Sequence, residues 1–119
     1  MTGREQGSAV VEFVLILPAV VLILLAIAEV TVVARTQLEL SHAAREGVRV
    51  AATTPDTVRA VEATLSLLDS QDAGMARVSV TRPSSVGANA IVEVTVPHRL
   101  GIIGLSVTLR ARSVMRVEL

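Results

Sequence analysis

From Phe13 to Ala28 the chain carries no polar side chain, and the apolar run extends back to Ala9 if Glu12 is allowed to interrupt it. At about 1.5 Å per residue, roughly twenty such residues in a helix cover the ~30 Å hydrocarbon core of a bilayer. One membrane span is therefore available, and the rest of the 119 residues must fold outside it. That remainder suffices for one small domain. The interruption is informative, because Gly7-Ser8-Ala9-Val10-Val11-Glu12-Phe13 sets an acid five residues after a glycine, where a plain anchor would carry no charge.

A carboxylate costs about 2.5–3.5 kcal/mol at the centre of a bilayer on insertion scales, and less near the interface. Two plain readings exist for Glu12. It can sit in the first turns of the helix, where the positive end of the dipole favours an acid by up to about 1 kcal/mol, or it can reach the headgroups. It does not complete a capping box with Ser8, because the acid would then stand at position 11, which is Val11.

Gly7-Ser8, then Glu12-Phe13, then a long apolar run resembles the leader and head of a type IV pilin-like protein. The fuller string from Gly7 to Pro18, GSAVVEFVLILP, resembles the TadE-like family of tight-adherence (Flp) pilus assembly systems. A second stretch, Ala43 to Ala52 (AAREGVRVAA), is similar to an Ala-Arg-Glu-Gly-Ala-Arg-like run of that family. The resemblance implies a minor pilin or pseudopilin. A membrane prepilin peptidase would cut after Gly7, leaving Ser8 as the new N-terminus and Glu12 as its fifth residue. Gly7, Ser8, Glu12 and Phe13 would then be the processing residues, with Glu12 also the assembly residue. The implied division is a leader over 1–7, a transmembrane helix over 8–34 and an extracytoplasmic pilin-like domain over 35–119. The implied partners are the peptidase, pilin and other minor pilins, the inner-membrane assembly platform and the lipid bilayer. One departure is visible: Val30-Thr31 follow Glu29 where the family commonly has an aromatic, and Phe13 is the sole aromatic residue.

Other classes are poorly supplied. The formal net charge is zero, so no electrostatic footprint for nucleic acid is expected, and all eleven basic residues are arginine. With no cysteine, neither a disulfide nor a thiolate metal site can form. The two histidines, His42 and His98, are far apart in sequence. His42 precedes Glu46 by four residues, a spacing expected of an exposed helical pair, and His98 follows Pro97 at an expected strand end. No nucleophile elbow, His-Glu metal motif, Walker loop or glycine-rich fingerprint occurs, so neither an enzyme nor a cofactor is expected.

A secretory signal peptide would need a clearly positive head and an unbroken apolar core, and the head from Met1 to Gly7 carries both Arg4 and Glu5. Ala26-Ile27-Ala28 is nonetheless a fair A-x-A site. Cleavage there would release a soluble protein, and the rival reading is a secreted or membrane-anchored extracytoplasmic binding module without a pilus role. Pro18 removes one helical hydrogen bond, and a kink is expected between Val14 and Pro18. Charges flanking the span lean slightly toward a cytoplasmic N-terminus, and the family resemblance implies the same orientation.

Beyond Glu29 hydropathy falls while the helical period persists, so a helix from about Ser8 to Ala52 is expected. Val30, Ala34, Leu38, Ser41, Ala44, Val48 and Ala51 form a stripe at three- and four-residue spacing, with Arg35, Glu39, His42, Glu46 and Arg49 opposite. The stripe packs on the chain's own sheet, on neighbouring pilin helices, or on both along different turns. Gly47 weakens the helix by about 1 kcal/mol relative to alanine and gives room for another element to approach. Thr54 as N-cap, Pro55 at the first helical position and Asp56 in the first turn predict a second helix, with Val58, Val61, Leu65 and Leu68 on its apolar face. The stretch from Asp69 to Gly74 is expected to be a loop.

From Met75 the period becomes two. Ala76, Val78 and Val80 alternate with polar residues, as do Val92, Val94 and Val96, and a third run places Val107, Leu109, Ala111, Met115 and Val117 on one side. The connection from Leu100 to Leu105 (LGIIGL) is unusually apolar and is expected to fold back on the sheet; the alternative is a contact patch for a partner or the membrane surface. The fold class expected is α+β and pilin-like: a long N-terminal transmembrane helix extending into a small domain with a second helix and a three-stranded antiparallel sheet.

Overall fold

The computed structural model describes residues 2–101 and 103–118, with side chains from Glu5 onward. Met1 of the polar head and Ile102 of the apolar connection lie outside the described residues. The chain divides into two compact units, Met1–Val32 and Val33–Leu119. A single helix, α1 (Thr2–Thr53), supplies all of the first and opens the second.

In the first unit the helix begins at Thr2, six residues earlier than expected at Ser8. Nothing from Thr2 to Gly7 forbids the α conformation, and Glu5 lies in the first turn, where the dipole favours an acid. Glu12 is therefore well past the first turn of the helix, outside the reach of that dipole. The helix continues through Pro18. Every residue from Ala9 to Ala28 is exposed, and the helix is long and apolar enough to cross a membrane.

The second unit places α1 and two further helices with a three-stranded sheet. The elements after α1 are α2 (Thr57–Ser66), α3 (Ser70–Met75), β1 (Arg77–Thr81), β2 (Asn89–Arg99) and β3 (Ser106–Arg116). The strands are antiparallel in the order β1-β2-β3, with Val78 opposite Val94 and Val94 opposite Ala111. Directly opposed residues share a face, so Val78, Val80, Ala90, Val92, Val94, Val96, Leu109 and Ala111 form one apolar surface. On it pack Leu40, Ala43, Ala44, Val48 and Ala51 of α1 with Ala60 of α2 and Leu68. The α+β fold expected from sequence is present.

Three local expectations are corrected. Leu40, not Leu38, is the large α1 residue in the core: Leu40 is 0% exposed and Leu38 is 63% exposed. At about 100° per residue the two point nearly opposite ways, so the buried face holds Ala44, Val48 and Ala51 of the expected stripe but not Val30, Ala34 or Leu38. The N-cap of α2 is Asp56, whose carboxylate accepts from the Val58 N–H at 3.0 Å. Thr54 cannot take that place because its own N–H donates to the Val50 carbonyl at 2.8 Å and closes α1. The buried face of α2 is correspondingly Ala60 and Thr64, with Val58 exposed, while Leu65 packs half-buried against the core and Leu68 lies in it as expected. Finally, the polar string after Asp69 forms the short helix α3, started by the Ala73 N–H donating to the Asp69 carbonyl at 2.7 Å, where a loop was expected.

The last carbonyls of α1 would be orphaned without partners. Arg82 donates through Nε to the Ala51 carbonyl at 2.7 Å, and the Glu118 N–H donates to that of Ala52 at 2.8 Å. Earlier in α1, the Gln37 side chain donates to the Arg110 carbonyl at 2.7 Å. These contacts fix β3 alongside α1 and running in the same direction.

Candidate functional site

The two stretches singled out in the sequence have opposite environments. Gly7, Ser8, Glu12 and Phe13 all lie on the exposed first unit of α1, with Ser8 and Glu12 one helical turn apart on one face. A Cβ added at Gly7 would meet no described atom within 4 Å. Among the described residues, then, nothing requires position 7 to be glycine.

The stretch from Ala43 to Ala52 is packed instead. Ala43, Ala44, Val48, Ala51 and Ala52 are at most 1% exposed, and Gly47 is buried with them. Small residues are required here for contact. A Cβ at Gly47 would overlap the Thr64 hydroxyl of α2 and come within 3.3 Å of Val92 Cγ1 of β2. The Thr64 hydroxyl donates to the Ala60 carbonyl at 2.8 Å, which satisfies it in an otherwise apolar contact. Thr64 was not singled out in the sequence; its place four residues after Ala60 and four before Leu68 is the signal that marks it.

Arg45, Glu46 and Arg49 of the same stretch face outward. Arg49 holds Glu46 through Nε at 3.0 Å and Nη2 at 2.5 Å, where the i,i+4 spacing had pointed to His42. That hydrogen bond keeps the Glu46 carboxyl below the usual carboxylate range and raises Arg49 above its ordinary value. The forked guanidinium matches both carboxylate oxygens, which an imidazole cannot do. Arg35 and Glu39 form an i,i+4 pair at 3.8 Å. No group of three or more His, Cys, Asp or Glu that could hold a metal ion occurs among the described residues.

A long apolar helix and a helix-covered antiparallel sheet define an α+β protein of the pilin-like type, with one helix able to span a membrane. The family model described as TadE-like protein matches residues 7–49, the family that the sequence resembles. The match begins at Gly7, includes Glu12 and the whole apolar run, and ends within the packed stretch. No curated protein and no solved structure matches the chain.

Proposed function

We propose that this chain is a minor pilin or pseudopilin of tight-adherence pilus assembly, acting by protein contacts and not by catalysis. One observation carries the reading: the TadE-like match starts at Gly7 and runs through the acid-interrupted head into the apolar helix. The environment of Gly7 supports a role read from outside. A glycine that no described neighbour requires, within a helix it weakens by about 1 kcal/mol, suits a peptidase that must draw the backbone out and approach it closely.

On this reading the N-terminus is cytoplasmic, the prepilin peptidase cuts between Gly7 and Ser8, and the second unit faces the extracytoplasmic side. The mature Ser8 amine and Glu12 then act in register with pilin, other minor pilins or the membrane platform. The test is the mature N-terminus of the chain in its own host, with Gly7→Val beside it. Ser8 is the expected first residue, and Gly7→Val is expected to accumulate the uncut precursor in the membrane. A chain beginning at Glu29 would instead establish signal-peptidase cleavage, and a normal Ser8 terminus in Gly7→Val would overturn the leader assignment.

A further inference from the structure

The β2–β3 hairpin ends in a closed loop, not in a flap folded over the sheet. The Leu100 N–H donates to the Leu105 carbonyl at 2.7 Å, and the Gly104 N–H donates to the Leu100 carbonyl at 2.8 Å. Gly104 takes φ +70°, a conformation open to glycine and strained for other residues. In this loop Ile103 is 67% and Leu105 58% exposed, while Leu100 is half-buried, and Val107 on the adjoining strand is exposed as well. The expectation that this segment folds back on the sheet is therefore corrected for the described residues.

Two further observations say what faces this tip. The first is position within the second unit. Gln37 bonds Arg110 while Ala52 bonds Glu118, so β3 and α1 advance together, and the residues before Arg110 lie toward Val33. Four strand residues back from Arg110 cover about 13 Å, whereas four helical residues back from Gln37 cover about 6 Å. The tip thus occupies the end of the unit at which the chain enters it from the apolar segment. The second observation is charge. From Val94 to Leu109, which covers the tip and the adjoining strand ends, the sequence contains Arg99 and no acidic residue, while Arg110 farther back is paired with Glu93 at 3.2 Å. Arg99, the last residue of β2, is exposed beside the loop.

From these observations we infer that the hairpin tip, through Ile103 and Leu105 with Arg99 beside them, docks on a lipid surface. An apolar tip with an adjacent arginine matches an interface whose acyl boundary accepts the former and whose anionic headgroups attract the latter. The inference rests on the reading of α1 as a membrane span. It adds a second membrane contact that limits the freedom of the folded unit at the bilayer.

Because the chain has no cysteine, single labels can be placed in the full-length protein. Ile103→Cys, Leu15→Cys and Ser85→Cys, each carrying an environment-sensitive fluorophore, are reconstituted in vesicles of equal parts phosphatidylcholine and phosphatidylglycerol. Nitroxide lipids are the quencher. Expected are a blue shift and quenching at Ile103, stronger with nitroxide high on the acyl chain than near its end, and neither at Ser85. Leu15 reports the span independently. Adding Leu105→Asp, at an exposed position, is expected to reduce quenching at Ile103 and leave Leu15 unchanged. Quenching at Leu15 without quenching at Ile103 overturns the tip contact while the span stands. Loss of quenching at both overturns the span and the tip contact together. An Ile103 label shielded from aqueous iodide yet untouched by nitroxide lipid would reveal a protein neighbour and also overturn the inference.

Discussion

Gly47 and Thr64 meet where α1 crosses α2, and the missing Cβ of the glycine is the space occupied by the threonine hydroxyl. This contact sets how closely the two helices approach over Val92, so it links the small-residue stretch in the sequence to the core beneath it.

Gly47→Ala should therefore destabilise the fold although alanine is the better helix former. The helical preference is worth about 1 kcal/mol in favour of alanine, while overpacking a tight contact costs about 1–3 kcal/mol. Thr64 is β-branched and its hydroxyl is engaged with Ala60, so it cannot swing aside freely. Thermal unfolding followed by circular dichroism in detergent should give a lower Tm for Gly47→Ala. Thr64→Ala removes the obstructing oxygen, and the Gly47→Ala/Thr64→Ala double variant should recover most of the loss.

Cap assignment gives a second expectation. Asp56→Ala leaves the Val58 N–H without its side-chain acceptor and should cost about 0.5–2 kcal/mol. Thr54→Ala keeps the backbone bond to Val50 and should cost clearly less in the same unfolding experiment.

Titration of Glu46 provides a third. Its depressed carboxyl contributes stability that is complete above the ordinary glutamate value and is lost as pH falls through the lowered one. The pair lies largely in solvent, so its effect on Tm should be small and further reduced by salt. Arg49→Gln should return the Glu46 titration, measured by NMR, toward the ordinary carboxylate range. An unchanged Glu46 titration in that variant would remove Arg49 as the cause.

The strands were legible because Val92, Val94 and Val96 alternate with Glu93 and Thr95 over a half-buried surface, and the register then follows from one hairpin after another. The close approach at Gly47 was legible too, since glycine in a helix needs a reason. Its partner was not, because Thr64 is polar and hides its hydroxyl on its own helix. Leu38 and Leu40 have equal hydropathy, and only the sheet beneath α1 decides between them. Asp56 and Thr54 are both good caps, and the choice depended on where the preceding helix released its last hydrogen bond. The polar string of α3 carries no apolar period at all. At the candidate site, the residues from Gly7 to Phe13 could be read from sequence because their pattern is local, whereas the exposure of Ile103 and Leu105 depended on how far the hairpin extends past the core.

Glu12 carries the last prediction, and the helix start at Thr2 sharpens it. With the helix beginning so early, the dipole gives the acid nothing in the uncut chain and favours it only once a cut after Gly7 makes Glu12 the fifth residue. Cutting after Gly7 would bring a positive amine to Ser8, one turn from Glu12 on the same chain and available to the Glu12 of a neighbouring subunit. An unpaired charge in an apolar setting is costly, and pairing amine with carboxylate relieves part of that cost only when neighbours are in register. Neutralising an acid that merely reaches the headgroups should change little, below about 1 kcal/mol, whereas stranding a buried amine costs about 3–5 kcal/mol. Glu12→Gln should therefore insert in the membrane like the parent chain and, where the mature Ser8 terminus is confirmed, lose co-purification with pilin or platform proteins. Normal partner capture and normal piliation by that processed variant would return Glu12 to a role in placing the helix at the membrane surface.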